Sequence, residues 1–384
     1  MGITSFAATL SPDMGIAREV RVFPPDGDGR PLWTVAVDIG MKDRRDDRAA
    51  LDITWVGAAG ARRAGTVVRA AGESVERAAL LGTGALDPGD DLPWAPRGMS
   101  WPEDAEGGAG YAATWIDGPT RRAVRVPATA VDYPPRGTGD DSDPGPSGTA
   151  SGGGLAMATG NACKECIERD AAMRGWYRPE SARRIDASNL AAAGAAEALR
   201  LVRKLSVAGV EFHLVALDAR GGPDVVLALA LDRESGVVGA GLGLEAHPGQ
   251  AALRAVQEAL QIRTLLLDLK GVGPCAAPAL PIQREIDRAG YWASEAAVPA
   301  ADEWLSHVGG YAASRTDRSP SDWTRLVGRF AVVDLTPRLP APARSLGWAV
   351  ARVFAPELRP LRMSEAPRWN GADDATHDIP HPFV

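Results

Sequence analysis

The chain has 384 residues, a formal net charge of −7 and 45% hydrophobic side chains, enough apolar material for one large composite domain or two ordinary ones. That acidic balance excludes a general nucleic-acid or membrane-surface binder, both of which need a positive field. No apolar run reaches the ~20 residues of a membrane helix, the N-terminus has neither a basic nor an apolar signal region, and Cys163, Cys166 and Cys275 are too few for a disulfide framework, so the expected compartment is the cytoplasm.

Residues 1–30 are polar, with Gly and Pro punctuation, and read as an irregular lead-in. Residues 33–39 predict a strand, and 51–56 alternate at period two and predict another. The small residues 57–60 then lead to a helix over about 65–81, stopped by Gly82. Residues 83–110, rich in Pro, Asp and Gly, read as loop, and 111–116 with 122–127 as a hairpin across Asp117-Gly118-Pro119. The stretch 133–153 is Gly, Pro, Ser and Asp with almost no apolar residue, so it reads as a flexible linker. Its end, from Ser151 to Gly154, has a second reading, in which backbone N–H groups approach phosphate ahead of a helix.

The helix that follows, within 154–177, carries Glu165-x-x-Glu168-Arg169, and the earlier helix carries the same core as Glu73-x-x-Glu76-Arg77. A cap at Asp186 precedes an Ala/Leu-rich helix over about 187–207, and 211–217, 224–231 and 237–244 read as three strands. Pro248 opens a helix to about residue 267 that holds an altered third copy, Glu258-Ala259-Leu260-Gln261. Helices near 281–289, 301–308 and 321–330, strands over 330–336 and 347–354 and a Pro-rich tail complete the chain. Strands alternating in blocks with motif helices point to an α+β protein, with helices against mixed or antiparallel sheets.

Residues three and four apart share a helix face, so each copy aims its acid or amide groups in one direction. Two carboxylates about 4 Å apart repel by roughly 4 kcal/mol at an effective dielectric near 20, so glutamates that share a cleft need cations or protons. Oxygen-only donors suit magnesium held by a few carboxylates and a nucleotide's phosphates. The alternative is a solvated helix face with internal ion pairs. Cys163-x-x-Cys166 has no second half-site, so the two cysteines read as packing residues rather than zinc ligands.

The set Gly154-Leu155-Ala156, Glu165-x-x-Glu168-Arg169-Asp170-Ala171 and Trp176-Tyr177 resembles the central signature of the YcaO family. The first copy, the helix Glu258-x-x-Gln261-x-Arg263, the Asp334-Leu335-Thr336 strand and the run 355–361 match that family in the same order. The resemblance implies one composite domain over 1–384, a pseudo-repeat with a first half 1–132, the linker 133–153, a second half 154–370 and a tail 371–384, its motif helices around a shared nucleotide site. It implies ATP and Mg2+ as cofactors, with Glu73, Glu76, Glu165, Glu168 and Glu258 as metal and phosphate-site acids. Ser151, Arg77, Arg169, Gln261 and Arg263 join them as nucleotide-site residues, and the tail residues Pro380, Pro382 and Val384 order the catalytic groups.

The end Pro380-His381-Pro382-Phe383-Val384 is similar to the branch that cyclodehydrates Cys, Ser or Thr of a ribosomal precursor peptide to azolines. In that scheme the side chain attacks the preceding carbonyl, the amide oxygen takes the γ-phosphoryl group, and phosphate leaves. The implied partners are the precursor peptide and a leader-binding protein of the E1-like or ocin-ThiF type. A flavin-dependent azoline dehydrogenase and a homodimer are also compatible, and no nucleic acid or membrane is implied. Two other readings stay open. One is amide activation toward a thioamide or amidine; the other is a non-catalytic peptide-binding scaffold, because Thr264-Leu265-Leu266 stands where the family has Arg-Asp-Asp.

Overall fold

The computed structural model describes residues 8–27, 29–40, 55–82, 84–96, 101, 108–133, 145–186, 195–273, 275–311, 322–365 and 378–383. Contacts divide the chain into two units. The first comprises Met1–Phe23, Thr34–Arg169 and Asp322–Leu361, and the second Pro24–Trp33, Asp170–Ser321 and Arg362–Val384. These units differ from the halves drawn from the sequence, because residues 322–361 return to supply central strands of the first unit. The expected mixed α+β architecture is observed, and among the described residues no helix is long and apolar enough to cross a membrane.

In the first unit, β1 (Glu19–Phe23), β2 (Trp33–Asp38) and β3 (Trp55–Gly60) form a three-stranded sheet in that order. Strand β1 lies in the lead-in, where no strand was expected; its alternation of Glu19, Val20, Arg21 and Val22 was the overlooked signal, on a strand exposed over nearly its whole length. Residues 57–60 belong to β3 rather than to a lead-in, and 51–54 lie outside the described residues. Helix α1 (Arg63–Leu81) buries Ala70, Ala71, Val75, Ala78 and Ala79, and it packs on β3. That apolar stripe leaves Glu73, Glu76 and Arg77 on the other side of the helix.

Strands β4 (Gly110–Asp117) and β5 (Thr120–Pro127) form the expected hairpin, and a short helix α2 (Ala128–Val131) follows. Next come β6 (Thr149–Gly152) and helix α3 (Leu155–Tyr177), of which residues up to Arg169 belong to the first unit. The linker expectation is corrected at its end: 149–152 are a strand, paired antiparallel with residues 349–352, while 134–144 lie outside the described residues. Four small residues give no local strand signal, and the partner that makes them a strand is some 200 positions away in sequence.

The second unit contains β7 (Arg183–Arg184), helix α4 (Ala196–Val207), β8 (Val210–Leu217), β9 (Val225–Asp232), β10 (Val237–Gly243) and helix α5 (Pro248–Val272). Helices α6 (Glu285–Trp292) and α7 (Ala297–His307) and strand β11 (Gly309–Tyr311) follow. The sheet order is β10-β9-β8-β7-β11, antiparallel except where β11 meets β7. The helix expected over 187–207 is observed from Ala196, and 187–194 lie outside the described residues.

Back in the first unit, α8 (Trp323–Val327) has only five residues where a longer helix was expected. Gly328 at φ 78° ends it, and β12 (Arg329–Asp334) begins at the next residue. After α9 (Ala341–Ser345), β13 (Ala349–Phe354) completes a sheet ordered β5-β4-β12-β13-β6. Val350 and Phe354 of β13 pack in one cluster with Ala70, Ala71 and Val75 of α1, whereas Ala349 and Ala351 pack with Ala158 of α3. Because successive strand side chains alternate between faces, α1 and α3 cover opposite faces of β13, with β6 as the edge between them.

Helix α5 lies directly on β10, at the alternating glycines Gly239, Gly241 and Gly243. A Cβ on Gly241 would stand 2.3 Å from the Ala255 carbonyl oxygen and 2.3 Å from the Ala259 nitrogen, which no side chain can accept. This contact sets the position of Glu258, whose Cβ is also within 2.7 Å of that point. Gly241→Ala is therefore expected to destabilise the protein by about 3 kcal/mol or more, at the upper end of overpacking costs. Thermal melting checks this, and an unchanged melting temperature would contradict the contact.

Candidate functional site

The site is built from the two acid-bearing helices of the first unit. Helix α1 presents Glu73, which is exposed, and Glu76 and Arg77, which are half-buried. Helix α3 presents Glu165 and Arg169, each about one-fifth exposed and 3.5 Å apart, with Glu168 buried at 6% exposure. Burial pushes the Glu76 carboxyl well above its ordinary range, and the charges of Glu73 and Glu165 push it further, against the pull of Arg77 and Arg169. Burial also raises the Glu165 carboxyl to about 7; Arg169 pulls it down, and Glu168 and Glu73 push it up. The structure thus brings the acids and arginines of both motifs into one electrostatic group. Its like charges are partly relieved by the two arginines and otherwise by protons.

Ser151 lies at the end of β6. Its hydroxyl donates to the Gly72 carbonyl at 3.0 Å, and its own carbonyl accepts from the Asn161 side-chain amide at 3.0 Å. These bonds tie the approach to α3 to α1, one residue before Glu73. Gly154, at φ 128°, then makes the turn into α3 that a residue with a Cβ would strain.

A layer of buried charge that the motifs did not reveal adjoins these acids. Arg352 of β13 is 2% exposed and donates to the carbonyls of Val131 at 3.1 Å and Gly145 at 2.6 Å. Burial lowers its ionisation to about 10, and Glu165 and then Asp132 are the leading charges that oppose this. Asp132 receives Arg338 at 2.5 Å and the Tyr111 hydroxyl at 3.2 Å, and the Arg77 guanidinium lies 5.7 Å from the Tyr133 ring. Three consecutive residues, 131–133, are each engaged by a different arginine. The available sequence signal was an arginine inside the otherwise apolar run 349–354.

In the second unit, Glu258 is half-buried and accepts the Leu242 N–H at 2.9 Å, and Gln261 is half-buried. Arg263 is buried and its Nε lies 3.0 Å from Asp232. Burial pushes the Asp232 carboxyl up, but hydrogen bonds from Ser235 and Arg263 more than offset this and bring it below its ordinary value. Arg263 therefore joins α5 to the end of β9, a structural engagement that its sequence motif did not suggest. Pro380 and Pro382 are buried, and Val384 lies outside the described residues. Cys163 packs among Ala150, Phe330 and Val353, and burial raises its thiol to about 12.

Hard carboxylate oxygens with positive counter-charges behind them suit magnesium and a polyphosphate. Among the described residues no three acidic, His or Cys side chains converge as a ready-made ion cage; magnesium held by one or two carboxylates and phosphate oxygens does not require one. The excess negative charge of Glu73, Glu76, Glu165 and Glu168 is the observation by which the first unit fits such an ion.

The sequence matches, over residues 109–359, the family model described as YcaO cyclodehydratase, ATP- and Mg2+-binding. No curated protein matches it. Among solved structures, the chain is similar to a YcaO protein from Methanopyrus kandleri bound with AMPPCP and Mg2+, at 20% identity and a TM-score of 0.64, covering 96% of this chain and 93% of that one. It is also similar to a heterocyclase in complex with substrate and cofactor, at 16% identity and a TM-score of 0.65, covering 94% of this chain but 52% of that one. The microcin synthetase McbBCD complex of E. coli matches at 14% identity and a TM-score of 0.62, covering 95% and 96%. At these identities the structural likeness establishes the fold.

Proposed function

The chain belongs to the YcaO cyclodehydratase family and is an ATP- and Mg2+-dependent enzyme of that type, and from this premise we propose that it activates backbone amides of a ribosomal precursor peptide to close azoline rings on Cys, Ser or Thr. The observation that carries the reading is the electrostatic convergence of Glu73 and Glu76 with Glu165 and Glu168. When bound, ATP with magnesium supplies the phosphoryl group that turns the amide oxygen into a leaving group.

The chain's own residues have three tasks in this reading. Glu76 and Glu165, whose carboxyls the fold raises, give up protons, and the four glutamates together hold divalent charge. Arg77 and Arg169, already paired with the acids electrostatically, orient negative oxygens, and Arg352 with Asp132 and Arg338 keeps the chain beside Glu165 in one place. Positioning of this kind supplies most of the rate in phosphoryl transfer. Glu258, Gln261 and Ser151 are proposed as further nucleotide-site residues. Ser151 acts through the backbone it fixes, since its hydroxyl is engaged by Gly72, and Arg263 acts by anchoring α5. Pro380, Pro382 and Val384 are proposed to order the catalytic groups.

The substrate-side proposal includes a separate leader-binding protein of the E1-like or ocin-ThiF type, with a flavin-dependent dehydrogenase acting on the azoline afterwards. The proposed setting is the cytoplasm. The McbBCD complex, a synthetase of several proteins, and the heterocyclase bound to substrate support a partner and a peptide in general terms. The test is mass spectrometry of a Cys/Ser/Thr-rich peptide after incubation with the chain, a leader-binding partner, ATP and Mg2+. Loss of one water per ring, dependent on ATP, is expected. Oxygen-to-sulfur exchange would replace the azoline reading by the thioamide one, and no Mg2+-dependent ATP binding at millimolar nucleotide would favour the scaffold.

A further inference from the structure

Residues 379–383 occupy a seat in the second unit that engages mainly the main chain. The Ile379 carbonyl accepts the Trp176 indole N–H at 3.1 Å, and the His381 carbonyl accepts the Trp292 indole at 3.2 Å and Arg288 Nη1 at 3.0 Å. The His381 N–H donates to Glu365 at 2.9 Å, and the Phe383 N–H reaches His381 Nδ1 at 3.3 Å. Pro380 and Pro382 have no N–H to bring, so every backbone donor from 380 to 383 is accounted for inside a buried segment. His381, 0% exposed, spends its Nε2 on the Arg362 carbonyl at 2.6 Å.

Arg288 is the centre of this seat. It is 1% exposed, and besides the His381 carbonyl it holds the Glu365 carboxylate and the carbonyls of Arg362, at 3.3 Å, and Met363, at 3.0 Å. One guanidinium thus fixes both the tail and the irregular segment 362–365 to which the tail is hydrogen-bonded. Glu365 closes the circuit by binding Arg288 and the His381 N–H through the same oxygen. The rings around it are continuous: Trp176 stacks on Trp304 at 4.6 Å, meets Trp292 edge-on at 5.8 Å, and meets Phe383 edge-on at 6.2 Å. Trp176 belongs to α3, the helix that also bears Glu165 and Glu168.

We propose that Arg288, with Glu365, is a positioning residue for the reaction, acting by seating residues 379–383 through their main chain and so holding the Trp176 indole in place. The inference rests on the functional reading above for its catalytic half and on the geometry alone for its structural half. Removing the guanidinium takes a donor from the Met363 carbonyl, one of two side-chain donors from each of the His381 and Arg362 carbonyls, and the cation from the buried Glu365 carboxylate, so the tail leaves its seat before the rest of the unit opens.

The test compares Arg288→Met, Arg288→Lys and the milder Glu365→Gln in the full chain by hydrogen exchange, tryptophan fluorescence and steady-state ATP turnover. Arg288→Met is expected to speed exchange of the peptide covering 379–383 by about tenfold or more while β8 to β10 stay protected. It is expected to lower kcat by about tenfold or more with the KM for ATP changed less than about threefold. Arg288→Lys restores part of both effects, and Glu365→Gln moves them in the same direction by less. Joining Arg288→Met with Glu365→Gln adds little beyond Arg288→Met alone, since both act through one seat.

Exchange at 379–383 that is unchanged in a folded Arg288→Met protein overturns the seat, and exchange that rises with unaltered kcat overturns the positioning role. If Arg288→Met does not fold, Glu365→Gln decides by the same two readings. A wild-type chain without Mg2+-dependent ATP turnover in the presence of peptide and partner would defeat the functional reading instead. The exchange comparison then still confirms or overturns the seat.

Discussion

Glu76→Gln, and separately Glu168→Gln, are expected to abolish Mg2+-dependent ATP turnover while leaving the chain folded. The substitution keeps size and hydrogen-bonding capacity and removes one ionisable carboxyl from a group of four glutamates. With burial and two neighbouring carboxylates holding the Glu76 carboxyl well above its ordinary range, the metal-free fold already favours its neutral form, so glutamine imitates the state that is there. What it cannot do is become an anion when divalent charge arrives. The loss in turnover is expected to be about 100-fold or more, the scale found when a single charge-stabilising group is removed from an active site. Circular dichroism and thermal melting of the metal-free variants should match or exceed wild type. Had the two motifs been solvated helix faces, turnover would be intact and stability would change by no more than about 0.5 kcal/mol; turnover within about threefold of wild type in both variants would end the shared-acid reading.

The acid pairs were legible because a helix is a local object. A spacing of three residues fixes which side chains share a face, whatever the distant chain does. The hairpin β4–β5 and the strands β8 to β10 were legible for the same reason, since period-two runs sit between turn residues. Repetition of one motif on two helices also suggested that their acids meet, and repulsion between Glu73, Glu76 and Glu165 is present in the fold.

Features that depend on distant partners left no comparable trace. Thr149, Ala150 and Ser151 become a strand only because β13 lies alongside, and β13 joins the first unit only because the chain returns to it after passing through the second. Arg352, Asp132 and Arg338 carry no motif. They are recognisable as a set only once a buried guanidinium is seen to need carbonyls and a counter-charge. The tail followed the same logic: Pro380 and Pro382 were singled out from a resemblance, but their fit to a seat that offers few hydrogen-bond acceptors required Trp176, Trp292, Arg288 and Glu365 to be in view.

The same acids should make the metal-free protein less stable as pH rises toward neutrality, the reverse of ordinary acid denaturation. Glu165 ionises near 4.5 in an unfolded chain and at about 7 in the fold, so between those values the folded state binds more protons. Stability is then greatest below the unfolded value and falls as pH climbs to about 7, by on the order of 3 kcal/mol from this residue. Glu76 acts in the same direction. The carboxylates with lowered values, Glu19, Glu211, Asp232, Asp302 and Asp322, contribute the opposite slope only near and below their unfolded values, so between pH 5 and 7 the difference between wild type and Glu165→Gln separates Glu165 from the histidines that both proteins share. Melting in a chelator across that window should show the decline. Glu165→Gln should flatten it, and Mg2+ with a non-hydrolysable nucleotide should raise stability most at the upper end, where ligand binding no longer has to displace protons. The same pH dependence of melting from 5 to 7 in the chelated wild type and in Glu165→Gln would mean that the fold does not hold the Glu165 carboxyl above its ordinary range.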